Sequence, residues 1–302
     1  MSSKTLAYSL IAFLLFAGMF FSKKESINNI ENSSSNFTVH LRSSANSGKI
    51  HINDNWTATK TAGICTGAGT ESNPYTLKNL IINAGGIGNG IHIENTTEYF
   101  KIQNCTLFNS GGDFHNAGIR LVNVTNGVLE NNTTYENTHG MSIFSCLNLL
   151  IVMNRFFDAR GLHLISTNDS ILYLNTFINS YYDFANQWST VQLNSQEKFT
   201  YTYKGRTFTN YLGNYWSSYS DPDNDGDGIG DVPLVRKPYV IGNPILRDNY
   251  PLIEPISAYS NISNSVIPGF NVISILGIIG IITILLTITI RKSLNKSKIA
   301  FL

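Results

Sequence analysis

Four stretches of this chain place apolar residues at alternate positions after a glycine: GIHI at 90–93, GIRL at 118–121, GMSI at 140–143 and GLHL at 161–164. Alternation of this kind predicts β-strands with one buried face. The glycines stand 28, 22 and 21 residues apart, which is about one coil of a parallel β-solenoid. One coil cannot bury its own apolar face, so the coils must stack. An asparagine follows each glycine by 14 residues, at Asn104, Asn132, Asn154 and Asn175. Asn satisfies backbone groups at turns and tolerates left-handed geometry. The constant offset therefore predicts an asparagine ladder along one turn. The expected fold class is all-β, a single-stranded parallel β-helix.

The same alternation turns His92, Arg120, Ser142 and His163 outward on consecutive coils. A stacked polar face with His and Arg suits glycan hydroxyls or carboxylates, and an ordinary exposed strand face has the same pattern. The repeats lie within a β-helix spanning 51–182, and an insertion at 110–116 lengthens the first period. Residues 75–82 (YTLKNLII) read as a strand in an irregular first coil. Residues 183–255 break the repeat, are rich in aromatics and predict a cap, because an open solenoid end is an exposed sheet edge. Residues 23–50 read as a polar spacer and 256–271 as a linker.

Both ends are apolar. Residues 1–22 read as a signal peptide or an uncleaved signal anchor. Residues 272–290 are long enough to span a bilayer as a transmembrane helix. Arg291, Lys292, Lys296 and Lys298 follow directly, which places the tail, 291–302, in the cytoplasm and the body outside. The body carries Asn-x-Ser/Thr sequons such as Asn36, Asn55 and Asn261, as exported glycoproteins do. Net charge is +1, so nothing argues for nucleic acid. Cys65, Cys105 and Cys146 are odd in number and lack metal-ligand spacing, which favours buried free thiols.

The repeats, together with YLGNYWSSY at 211–219 and DNYPL at 248–252, resemble the NosD-type right-handed parallel β-helix proteins. That class overlaps the carbohydrate-binding and sugar-hydrolysis β-helices. The segment CTGAGTESNPY at 65–75 is similar to the start of such domains in archaeal surface proteins, and Pro268-Gly269-Phe270 resembles archaeal C-terminal sorting signals. The resemblance implies a right-handed coil and a membrane-anchored extracellular protein with a glycan-binding, structural or adhesive role. It also leaves open a polysaccharide lyase or glycoside hydrolase, and a copper-delivery accessory protein. Copper sites need clustered His, Met or Cys, and the six His and four Met show no paired spacing.

The densest chemical motif is DPDNDGDGIGD at 221–231. Alternate carboxylates with permissive glycines suit Ca²⁺. The expected ligands are Asp223, Asp225, Asp227, the Ile229 carbonyl and Asp231, in a structural role. A solvated acidic turn is the competing reading. Catalytic candidates are weak: only Glu136 and Asp158 share an offset from the repeat glycine. On neighbouring coils they would match the roughly 5 Å spacing of a retaining glycosidase pair.

Overall fold

The computed structural model describes residues 48–158, 160–178, 182–236 and 244–263. The expected signal segment, the transmembrane helix at 272–290 and the basic tail lie outside these residues. Among the described residues no helix is long and apolar enough to cross a membrane.

Each coil contributes three short strands. The first holds β1 (Ile50–Asn53), helix α1 (Trp56–Thr61), β2 (Tyr75–Lys78) and β3 (Ile81–Asn83). The second holds β4 (Ile91–Thr96), β5 (Phe100–Gln103) and β6 (Thr106–Phe108), and the third β7 (Ala117–Val124), β8 (Gly127–Glu130) and β9 (Thr133–Tyr135). Next come β10 (His139–Phe144), β11 (Leu150–Val152) and β12 (Arg155–Phe157), then β13 (Arg160–Ile165), β14 (Asn168–Tyr173) and β15 (Thr176–Phe177). A sixth coil has β16 (Tyr182–Gln187) and β17 (Thr190–Gln192). A hairpin of β18 (Phe199–Tyr203) and β19 (Arg206–Asn210) interrupts it before β20 (Tyr215–Trp216) completes it. Further along are β21 (Leu234–Arg236), β22 (Leu246–Asp248) and β23 (Tyr259–Ser263).

Corresponding strands form three six-stranded sheets, ordered β1-β4-β7-β10-β13-β16, β2-β5-β8-β11-β14-β17 and β3-β6-β9-β12-β15-β20. Every pairing within them is parallel. The fold is a parallel β-helix whose apolar ranks, such as Ile52, Ile93, Leu121, Ile143 and Leu164, meet inside at zero exposure. The coil pattern outruns the expected end at 182 by one turn, which lacks the glycine signature and so escaped the repeat.

The repeat glycines mark close approach between coils. A Cβ on Gly90 would come within 2.7 Å of the Gly118 carbonyl oxygen, and one on Gly118 within 3.0 Å of that of Gly140. The turn between the second and third sheets is left-handed on five successive coils, at Asn79, Asn104, Asn131, Met153 and Leu174, with φ of 53–59°.

Residue by residue, the ladder differs from the sequence expectation. Asn132, Asn154 and Asn175 are buried, and the Oδ1 of each accepts the backbone N–H of the coil before: Cys105, Asn132 and Asn154, all at 3.0 Å. Their Nδ2 groups donate to carbonyls on that same preceding coil, at Ile102, Leu129 and Ile151. Asn214 adds a fourth rung by accepting from Asn175 N at 3.1 Å, and Asp248 ends the ladder by accepting from Asn214 N at 2.8 Å. Asn104 is not a rung. Register pairs Gln103 with Glu130, so Asn104 falls beside Asn131 in an outer, exposed row, bonded to Asn79 and Asn131. The second coil carries one more residue between its first two strands than the third, and that shifts a fixed offset from glycine by one place.

Beyond β17 the chain packs as a second apolar cluster, with Tyr201, Leu212 and Leu252 fully buried and Phe199, Tyr203, Ile229 and Tyr259 nearly so. β18 pairs antiparallel with β19 and β23. Trp216 stacks on Phe177 at 4.3 Å and Phe177 on Phe156 at 4.6 Å, so an aromatic column runs through the last three coils.

Candidate functional site

The sheet led by β1 carries the rank foreseen as a ligand face. Register aligns His51, His92, Arg120, Ser142, His163 and Ala185 on successive strands. The rank is stacked but not uniformly outward. Ser142 and His163 are 0% and 1% exposed, because the 110–116 insertion folds back over them. Phe114 meets the rings of His139 and His163 edge-on at 5.4 Å. Arg120 Nη1 donates to the His115 carbonyl at 2.8 Å and fixes the insertion from below. The expectation of four exposed residues is corrected to a half-exposed pair, His92 and Arg120, and a covered pair. Burial lowers the His139 and His163 pKa values to about 4, with neighbouring His and Arg charges adding to the shift.

At the uncovered end three donor groups converge. His92 and Glu94 lie two apart on β4 and so share a face, and β1 brings His51 beside His92. The rings of His51 and His92 stack at 4.7 Å, 7° from parallel. His51 Nε2 is 2.7 Å from Glu94 Oε1, and His92 Nε2 is 4.0 Å from Glu94 Oε2. One ligand atom from each residue lies within 4.8 Å of the others. His92 Nε2 is buried and has no hydrogen-bond partner among the described residues. Burial, opposed by Glu94, lowers the His92 pKa and favours the neutral ring that a metal needs. Sequence spacing alone missed this cluster because 41 residues separate its halves. The signal was the repeated triplet Ile-His-Ile, at 50–52 and again at 91–93.

Glu136 and Asp158 do not form an outward pair. Glu136 is exposed at a left-handed turn, φ 55°. Asp158 is 1% exposed and points inward, accepting from Thr134 Oγ1 at 2.5 Å, Asn137 N at 2.8 Å and Asn137 Nδ2 at 3.0 Å. It stacks on Asn137 rather than Glu136 because its turn is one residue shorter, and its carboxyl closes a second ladder that begins at Ser110. Burial raises its pKa to about 6.

In the acidic loop the carboxylates of Asp223, Asp225 and Asp227 come within 4.8 Å of one another. Asp223 and Asp225 both accept from Asp227 N, and Asp223 also accepts from Gly228 N. Gly226 and Gly228 take positive φ, 71° and 89°, to make the turn. Asp231 stands apart, accepting Asn224 N and Nδ2 at 2.7 Å each. Ile229 is 5% exposed and bridges to Leu252. Burial raises the Asp227 pKa, and Asp225 and Asp223 add to the rise.

A groove of about 1040 Å³ runs along the sheet led by β2, lined among others by Tyr99, Lys101, Glu130, Asn148, Gln192 and Leu246. Lys101 and Glu130 form an ion pair across neighbouring coils. The three cysteines are buried free thiols, and burial raises Cys105 and Cys146 to about 11.

With this geometry in place, a match to a known family can be set beside it. Residues 17–221, about two-thirds of the chain, fit the family described as periplasmic copper-binding protein (NosD). The chain belongs to the NosD family. No curated protein and no solved structure matches it. The matched span includes every coil of the solenoid in this NosD-family chain and ends at the first residue of the acidic loop.

Proposed function

We propose that this NosD-family chain is an exported, non-catalytic β-helix that holds a transition-metal ion at His51, His92 and Glu94, copper being the metal in the family's description. The observation that carries the reading is the buried, unpartnered Nε2 of His92, beside a second imidazole and a carboxylate. Two imidazoles and a carboxylate suit Cu²⁺ or Zn²⁺, whereas Cu⁺ favours sulfur, and all three thiols lie buried elsewhere. A metal bound there would take up the lone pair of His92 and release the His51–Glu94 contact for ligation. The test is titration of the protein with Cu²⁺, followed by electron paramagnetic resonance and by metal analysis after gel filtration. One retained ion, with hyperfine coupling from two nitrogens that is reduced or lost with the ion in His92→Ala, and weaker retention in Glu94→Gln, is the expected result. Retention unaffected by either substitution would remove the assignment.

A second reading, extracellular glycan binding, draws on the long groove, whose amides, Lys101, Glu130 and Tyr99 suit a polyhydroxylated chain. The two readings concern different sheets. The segment after β17, with its aromatic column and antiparallel hairpin, suits a C-terminal cap. Asp223, Asp225 and Asp227 suit a structural Ca²⁺ within that cap, with Asp231 and the Ile229 carbonyl as the further ligands expected from the motif. The apolar run at 272–290 and its basic flank support a membrane tether, with surface-layer proteins or glycans as outside partners.

A further inference from the structure

The covered end of the same sheet forms a chamber that the metal site does not use. Beside Phe114 lies a cavity of about 190 Å³, lined also by His139, Arg160, Leu162, His163, Ala185 and Gln187. His139 Nδ1 and His163 Nδ1 have no hydrogen-bond partner among the described residues, nor does Ser142 Oγ beside them in register. All three side chains are at most 1% exposed. Polar atoms left bare in a buried wall cost stability unless something occupies the space they face. The guanidinium of Arg160 lies 5.6 Å from the Phe114 ring centroid, and no salt bridge engages it among the described residues. The roof is accessible: Phe114 is 53% exposed.

We infer that this chamber binds a small organic carboxylate, with its charge on Arg160, its hydroxyl or carbonyl oxygens on His139, His163 and Gln187, and Phe114 closed over it. A cation is disfavoured because Arg160 lines the space and Arg120 stands nearby. A polyanion is disfavoured because the buried imidazoles are neutral, leaving one fixed positive charge in the lining. Water alone would serve the imidazoles but leave the guanidinium without a counter-ion against an aromatic roof. Leu162, Ala185 and Phe114 supply apolar contact for a short carbon skeleton. The chamber shares no residue with the proposed metal ligands on the first two coils.

The test is calorimetric titration of the full-length protein with sodium lactate and sodium glucuronate, using methyl lactate as the uncharged control. At least one carboxylate is expected to bind and the ester not to. Arg160→Gln should weaken binding about tenfold or more, and Gln187→Glu should abolish it by placing a like charge at the rim. His92→Ala should leave it unchanged. Absence of binding by both carboxylates, equal binding of the ester, or full affinity in Gln187→Glu would overturn the proposal and leave a water-filled chamber. Gln187→Glu also carries the test if Arg160→Gln does not fold.

Discussion

Asp158 and Asp248 are each held inside the solenoid by several donors, and burial raises both to about 6. His139 and His163 are shifted the other way, to about 4. In an unfolded chain the carboxyls titrate near 3.9 and the imidazoles near 6.5. Between roughly pH 4 and 6 the native state therefore keeps two carboxyl protons that the unfolded state has lost. Over the same range the unfolded state binds two imidazole protons that the native state refuses, so the four contributions to the pH slope cancel. Asp158→Asn removes one native-state proton and upsets the balance. The variant's stability should rise with pH relative to the parent across that window, by at most about 1.4 kcal/mol per pH unit, less with solvent screening. Urea unfolding at pH 4.5 and 5.5 measures it, and parallel slopes for parent and variant would contradict the assignment. Residue-scale detail of this kind was only partly legible in the sequence. Asn132, Asn154 and Asn175 could be read off a fixed offset, but Asn104 follows a turn one residue longer than its counterpart and Asp158 lies in a turn one residue shorter. A one-place shift in a turn changes which side chain faces inward, and composition carries no trace of it.

At the scale of elements, strands were legible because alternation is a direct image of a two-sided surface. The insertion was legible as extra length but not as a lid, since what it covers depends on a strand more than 40 residues away. The acidic loop is intermediate. Its spacing named Asp223, Asp225 and Asp227, and the fold gathers those three while turning Asp231 to Asn224. Three carboxylates within 4.8 Å repel one another, and the loop meets that with backbone N–H donors from Asp227, Gly228 and Ile229. Bound Ca²⁺ would convert the repulsion into ligation. An ion that binds only the folded form adds RT ln(1 + [L]/Kd), about 2.7 kcal/mol at a hundredfold excess over Kd. The loop is tied to the aromatic cluster through Tyr201 OH, which donates to the Asp227 carbonyl at 3.0 Å, and Tyr259 OH, which donates to that of Gly228. Chelation should therefore lower the melting temperature and change tyrosine fluorescence together, and Asp225→Ala should abolish both responses. A melting curve indifferent to chelator and to added calcium would leave a hydrogen-bonded acidic turn.

On the scale of the whole molecule, sidedness decides what the faces can meet. The described histidines other than the proposed metal ligands, His115, His139 and His163, lie on or over the β1-led sheet, while the long groove belongs to the β2-led sheet. An imidazole–carboxylate donor set suits an oxidised metal ion, which an exterior compartment supplies, and the thiols that would compete for it are buried at raised pKa. Both features suit the outside orientation proposed from Arg291, Lys292, Lys296 and Lys298 after the apolar run. If the apolar run tethers the protein, cleavage that frees it should spare the coils, because a parallel β-helix offers protease few strands free of ladder hydrogen bonds. Brief proteolysis of intact cells should thus release a fragment containing the coils into the medium, while an epitope tag placed after Leu302 stays protected until the membrane is permeabilised. Loss of the tag with retention of the β-helix would invert the topology and put the proposed metal ligands and the chamber beside Phe114 on the cytoplasmic side.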